Sequence, residues 1–316
     1  MKICFFRLSA IGDCVLATPA VNAILKRYPN CEFTWVTTKP IASLLSEMPK
    51  VNFLVIDKPK TIRDYLRLRN KFKDLHFDVL LAAQASLRAN LLYPFIKAKR
   101  KIGFDSTRAN DFHSLFIKEA ITYDDEHLVE GFMKFAVKLG AASKNFVWYV
   151  NTSQMSSNKS AFLPRIVINI AASKEERSWP AYKYADLIKT IELHFLAEIV
   201  LIGGNTDFEK SQEAAIKSKI SGSKYLNLVG QTTLGELVDI LNTADVLISP
   251  DSGPVHIANA LGKPVVGLFA VARPELTGPY GNMQYSIDKY PDAVRRYLGK
   301  VLNKHSGMKG STINEQ

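Results

Sequence analysis

Hydrophobic positions along this chain follow two periods, and the two periods take turns. Residues 2–8 form a short apolar run of strand type, closed by Ser9-Ala10-Ile11-Gly12-Asp13. Residues 14–28 then place Val15, Leu16, Ala20, Ile24 and Leu25 on one helical stripe that stops at Pro29. Further strands are predicted at 33–38, 51–57, 77–83 and near 101–104, with helices at 61–73, 86–97 and 128–139. A polar, serine-rich stretch at 151–164 has no period and reads as a linker. The alternation restarts with strands at 165–171, 199–203, 225–229, 246–249 and 264–269. Helices at 180–195, 207–220, 234–243 and 254–261 separate them, a last one is predicted at 291–302, and the polar run 303–316 is expected to be disordered. Strands alternating with helices predict α/β architecture with parallel, doubly wound sheets. Domains are expected at 1–150 and 165–290, with a cleft between them. Ligands of such sheets bind outside the carboxyl ends of the strands, which puts Asp13 and Asp251 on the expected rims.

Composition narrows the class. A 316-residue chain with 47% hydrophobic and 22% charged residues has enough material for two soluble cores. No run of 18 apolar residues is present, Arg7 and Asp13 interrupt the apolar start, and Cys4, Cys14 and Cys31 lack metal-type spacing. Together these predict a cytoplasmic protein.

Net charge is +11, but it is unevenly held: residues 1–150 carry 23 Lys and Arg against 14 Asp and Glu, and the remainder carries 18 against 16. The first half is therefore expected to meet something anionic, be it nucleic acid, a membrane surface or an acidic substrate. Its two densest basic stretches are 58–73 and 97–101. No aromatic-interleaved motif accompanies them, which argues against nucleic acid.

Three strand-to-helix joins can carry chemistry. At 249–262 the chain reads S-P-D-S-G-P-V-H-I-A-N-A-L-G. Asp251 or Ser252 can cap the helix, Gly253 admits close backbone approach, and the free N–H groups of the helix start favour a phosphate. An ordinary capped turn is the simpler outcome there. At 171–180, A-A-S-K-E-E-R-S-W-P offers the Ser173 hydroxyl and the Lys174 and Arg177 cations to a pyrophosphate, or forms a surface loop balanced by Glu175 and Glu176. Asp13 is either a helix N-cap or a weak general base for late proton transfer. His256, one turn past Gly253, can reach the same ligand or pack as a satisfied helix histidine, and the turn-rich 277–281 can close over the site. Divalent-metal, nicotinamide and Walker-type motifs are absent from the sequence, so no metal or cofactor is expected.

Taken together, R-L-S-A-I-G-D at 7–13, K-I-G-F-D at 101–105, S-W-P at 178–180, D-S-G-P-V-H-I-A-N-A-L-G-K-P-V-V at 251–266 and T-G-P-Y-G at 277–281 resemble the lipopolysaccharide heptosyltransferases. That family has the GT-B fold, two Rossmann-like domains facing across a cleft. The resemblance implies inverting, metal-independent transfer from ADP-L-glycero-β-D-manno-heptose to a sugar of the Kdo-lipid A core. It implies Asp13 as base, with Ser173 and Arg177 on the donor diphosphate and Asp251 on the donor sugar. Ser252, Gly253 and His256 would line the donor site, and Asp207 would reach the ribose. Arg177 stands where the family usually has Lys, and 270–273 departs from the usual glycine- and proline-bearing loop. Arg63, Arg67, Arg88 and Lys99 become candidate contacts for the acidic acceptor and the inner membrane surface. The stretch Q-A-S-L-R-A-N at 84–90 is most like the branch that adds the first heptose. A same-fold transferase with another nucleotide sugar or a later heptose remains open, as does a noncatalytic binder of anions or nucleic acid.

Overall fold

The computed structural model describes residues 1–109, 112–152, 163–172 and 174–298. Ser173, most of the stretch assigned as linker and the tail 303–316 lie outside the described residues. The chain divides into two compact units, Met1–Asn151 and Thr152–Gln316.

In the first unit, β1 (Lys2–Phe6), β2 (Glu32–Thr37), β3 (Val51–Val55), β4 (His76–Ala82), β5 (Lys97–Phe104) and β6 (Glu119–Ile121) form one sheet in the order β3-β2-β1-β4-β5-β6. All of its pairings are parallel. Its helices are α1 (Ile11–Arg27), α2 (Lys39–Leu44), α3 (Ile62–Phe72), α4 (Leu87–Asn90) and α5 (Leu128–Lys138). β1 is apolar at successive positions because both faces are covered. Cys4 and Phe6 pack with Leu68 and Phe72 of α3 on one face. Phe5, on the other, meets Trp35 at 4.8 Å and Phe135 of α5 at 6.4 Å.

The second unit repeats the plan. β7 (Arg165–Asn169), β8 (Glu198–Ile202), β9 (Leu226–Asn227), β10 (Val246–Pro250), β11 (Val265–Phe269) and β12 (Ile287–Asp288) lie in the order β12-β11-β10-β7-β8-β9, again parallel. The helices are α6 (Ala181–His194), α7 (Asp207–Lys219), α8 (Leu234–Thr243), α9 (Gly253–Ala260), α10 (Pro274–Thr277) and α11 (Tyr290–Leu298). Read from its own first strand, each sheet has the Rossmann order 3-2-1-4-5-6. The strand order therefore reverses between β1 and β4 in one unit and between β7 and β10 in the other. Those two crevices are where a doubly wound sheet binds its ligand.

Local chemistry sets the helix starts. Thr61 and Asp64, Thr206 and Glu209, and Thr233 and Glu236 make reciprocal capping boxes on α3, α7 and α8. Inside α1, Pro19 cannot donate to the Val15 carbonyl, and the Thr18 hydroxyl donates there instead at 2.8 Å.

Three expectations change. α1 begins at Ile11 rather than residue 14, so Asp13 lies inside its first turn. The helix expected at 86–97 is only the single turn of α4 and a 3-10 turn at Tyr93–Phe95. Pro94 has no N–H to continue a helix, and Lys97 already enters β5. The second basic stretch is thus a strand whose cations are used internally. Lys97 Nζ donates to Lys73 O and Lys101 Nζ to Tyr93 O, both at 2.7 Å, Lys99 pairs with Asp78 and Arg100 is bidentate on Glu119.

Candidate active site

At the crevice of the first unit, Asp13 is the third residue of α1 and its carboxylate turns back over the helix start. Oδ2 accepts from the Ala10 N–H at 3.1 Å, half of a capping box that alanine cannot return. The same oxygen accepts from Arg7 Nη2 at 2.5 Å. Arg7 leaves the end of β1 and its Nη1 donates to Ala83 O at the end of β4, so its guanidinium spans the switch point. The guanidinium also lies 4.8 Å from the centre of the Phe132 ring of α5. Arg7 is 12% exposed and Asp13 27%, so the cation lies beneath the carboxylate.

Beside this pair is a pocket of about 510 Å³ whose lining includes Ser9, Lys58, Lys60, Tyr65, Gln84 and Arg88. Gln84 closes the strand ends by accepting from the Leu8 N–H at 2.7 Å, and Tyr93 Oη donates to Gln84 O. α4, which carries Arg88, is fixed from below. The Nδ1–H of buried His113 donates to Asn90 Oδ1 at 2.7 Å while its Nε2 accepts from the Phe104 N–H at 3.2 Å. Burial pushes the His113 pKa down to about 4, so the imidazole is neutral and its tautomer is set by these two partners. Sequence patterns identified neither Arg7 nor this anchor.

At the crevice of the second unit, Arg177 ends a 3-10 turn after β7, and its Nη1 lies 3.8 Å from Asp251 Oδ2 in the loop after β10. This is an ion pair but too long for a direct hydrogen bond. Arg177 Nε is buried and has no hydrogen-bond partner among the described residues. Ser178 ties the ends of the loop together, since its Oγ accepts from the Ala172 N–H at 2.9 Å and donates to Lys174 O at 3.2 Å. Trp179 is held by an edge contact to Tyr184 at 5.2 Å and by Gln212 Nε2 donating to its carbonyl at 2.6 Å.

Ser252 is the N-cap of α9, yet its side chain does not cap. Its hydroxyl is drawn inward to Asn169 Nδ2 at 2.9 Å and Ser249 Oγ at 3.0 Å. Asn169, which sequence reading passed over, is buried at the end of β7 and also donates to Ala171 O at 2.8 Å. The first turn of α9 therefore offers few donors: Pro254 has no N–H and the Val255 N–H donates to Ser252 O at 3.2 Å, which leaves the Gly253 N–H as the one the Ser252 side chain does not cap. His256 is one turn into α9 and 7% exposed. The 277–281 loop is tied to that helix, with Asn259 Nδ2 donating to Tyr280 O at 3.0 Å, rather than standing free as a cover.

The other candidates stand on separate elements. Asp207 is exposed at the first position of α7, after Gly203 and Gly204, while Thr206 and Glu209 do the capping. Arg63 and Arg67 are exposed on α3. Lys99 is paired with Asp78 at 2.7 Å in the amino-terminal part of β5. It lies about five residues, or roughly 17 Å of strand, from the carboxyl end of that strand. The structure does not bring Lys99 together with Arg88 and Asp13.

Residues 65–296 match the model of glycosyltransferase family 9 (heptosyltransferase). The chain is 32% identical over 308 residues to the lipopolysaccharide core heptosyltransferase OpsX of Haemophilus influenzae, covering 95% of this chain and 87% of that protein. It is 25% identical to lipopolysaccharide heptosyltransferase 2 of Salmonella typhimurium, covering 88% of this chain and 85% of that one. Among solved structures, E. coli heptosyltransferase WaaC with ADP superposes with a TM-score of 0.71 at 20% identity, over 91% of this chain and 92% of that one. The match to WaaC supports the GT-B architecture of two Rossmann-like units.

Proposed function

Because this chain belongs to glycosyltransferase family 9, the heptosyltransferases, we propose that it transfers heptose from ADP-L-glycero-β-D-manno-heptose to Kdo of a Kdo-lipid A acceptor, with inversion. The observation that carries the donor half is the meeting of Arg177, Asp251 and the start of α9 at one switch point. Two negative charges arrive there with a diphosphate, and a cation, a helix start and a nearby carboxylate can divide the work. Arg177 and the Gly253 N–H at the positive end of α9 take the phosphates, and Asp251 accepts from hydroxyls of the sugar. Ser173, Ser252, His256 and Asp207 complete the donor set, Asp207 on the ribose.

In the reaction, an acceptor hydroxyl attacks the anomeric carbon as the bond from that carbon to the phosphate oxygen breaks. ADP leaves with the electron pair. Asp13 receives the hydroxyl proton, and the growing charge on ADP falls on fixed donors. The first unit is read as the acceptor domain. Lys58, Lys60 and Arg88 line one pocket there and suit a carboxylate-bearing sugar. The testing experiment offers the purified chain ADP-heptose and other nucleotide sugars, each with Kdo-lipid A and with an already heptosylated core. Product is expected only from ADP-heptose with Kdo-lipid A. Preference for the heptosylated core would move the chain to a later heptose addition.

The same unit is proposed to rest on the anionic membrane that carries the acceptor. On α3, Ile62 and Leu66 are 80% and 52% exposed and sit side by side, four residues apart. At 100° per residue Arg69 flanks them on one side and Arg63 and Arg67 on the other, the pattern of a helix lying in a lipid interface. Tyr65 Oη donates to Arg88 O at 3.3 Å and joins this face to α4, where Leu87 is 47% exposed. Wild-type protein should cosediment with phosphatidylglycerol vesicles and not with phosphatidylcholine. Leu66→Glu should lower the bound fraction about tenfold, from burial lost and like charge added. Equal sedimentation of variant and wild type would remove the apolar stripe from the contact.

A further inference from the structure

We infer that Arg7 is a positioning residue for glycosyl transfer, aiming the Asp13 carboxylate from beneath; the inference rests on Asp13 being the base. The guanidinium is fixed on three sides by parts of the fold far apart in sequence. Nη1 donates to Ala83 O at the end of β4, and the Phe132 ring of α5 lies 4.8 Å from its centre. Nη2 donates to Asp13 Oδ2 at 2.5 Å. Exposure of 12% leaves Arg7 poorly placed to touch a sugar, whereas Asp13 at 27% is open.

A carboxylate on the first turn of a helix can otherwise swing between its own helix start and solvent. Here one oxygen carries both the Ala10 N–H and the Arg7 donor, so the plane and tilt of the group are set before any substrate arrives. Arg7 gains and loses no proton in the step. The proton passes from the acceptor hydroxyl to Asp13, and the guanidinium remains a fixed cation behind it. Arginine suits the place because a planar fork can hold a carbonyl and a carboxylate at once while its face lies on an aromatic ring.

A four-way comparison of wild type, Arg7→Met, Asp13→Asn and the double variant tests this, with Arg7→Lys as a milder replacement. Arg7→Met should lower kcat about 100-fold, the cost of a slightly misplaced catalytic group, with KM for both substrates within about threefold. Arg7→Lys should keep at least about a tenth of wild-type kcat, since it retains the charge and one donor. Adding Arg7→Met to Asp13→Asn should lower the residual rate less than about threefold, because the group it aims is gone. Independent, multiplying losses in the double variant would overturn the inference and leave Asp13 as base. A tenfold rise in acceptor KM would likewise overturn it, making Arg7 a substrate contact. Arg7→Lys as impaired as Arg7→Met, with a Tm fall in both, would reduce Arg7 to a role in the fold. Near-normal turnover by Asp13→Asn would overturn the base assignment, and the inference with it.

Discussion

Asp13→Asn is expected to lower heptose transfer about 10³-fold, within the range set by loss of a positioned general base. Asparagine keeps the shape and can still accept from the Ala10 N–H, so α1 should start where it does now. What it lacks is a site for the acceptor proton, and the attacking oxygen would have to shed that proton to water. The donor groups Arg177 and Asp251 belong to a different sheet and a different compact unit. ADP affinity should therefore stay within about threefold of wild type, a difference under 1 kcal/mol. ADP release with acceptor present measures the first quantity, and calorimetric titration with ADP the second. Turnover within tenfold of wild type would remove Asp13 from the chemistry. A parallel collapse of ADP binding would point instead to a damaged fold.

Arg177→Ala is expected to weaken both ADP and ADP-heptose by about 10- to 100-fold, the usual scale of a charge-assisted contact to phosphate. Adenosine should bind the variant as it binds wild type, because the side chain is assigned to phosphate alone. The structure leaves the group ready for that task, since at 3.8 Å Asp251 attracts Arg177 without saturating it. Its buried Nε also has no hydrogen-bond partner among the described residues. Arg177→Lys should fall between the two, keeping charge and losing the fork. Equal losses for adenosine and ADP would mean that the 174–178 loop had collapsed and that the phosphate assignment was unsupported.

Much of this site was legible in the chain because its parts are local. A strand, a short polar loop and a helix start occur within a few residues at 7–13 and again at 249–256, and each pattern signals a rim position. What escaped depends on distance. Arg7 looks like the last cation of a strand until β4 and α5 arrive to hold it. Asn169 is one polar residue at a strand end, and its partner Ser252 is 83 positions away. Lys97 to Lys101 hid a strand, because the side chains of Lys97, Lys99 and Arg100 stay exposed while its backbone pairs with β4; Lys99 and Arg100 meet Asp78 and Glu119 at the surface. The sheet order, which turns two separate loops into one crevice, is also a long-range property that periodicity cannot supply.

The most direct measurement is the anomeric configuration of the new linkage, read by NMR after incubation of the purified chain with ADP-L-glycero-β-D-manno-heptose and Kdo-lipid A. A single displacement assisted by Asp13 predicts an α-linked heptose on Kdo and one ADP released for each linkage formed. A β-linked product would contradict the account, because retention requires a second displacement and a nucleophile in place of the base.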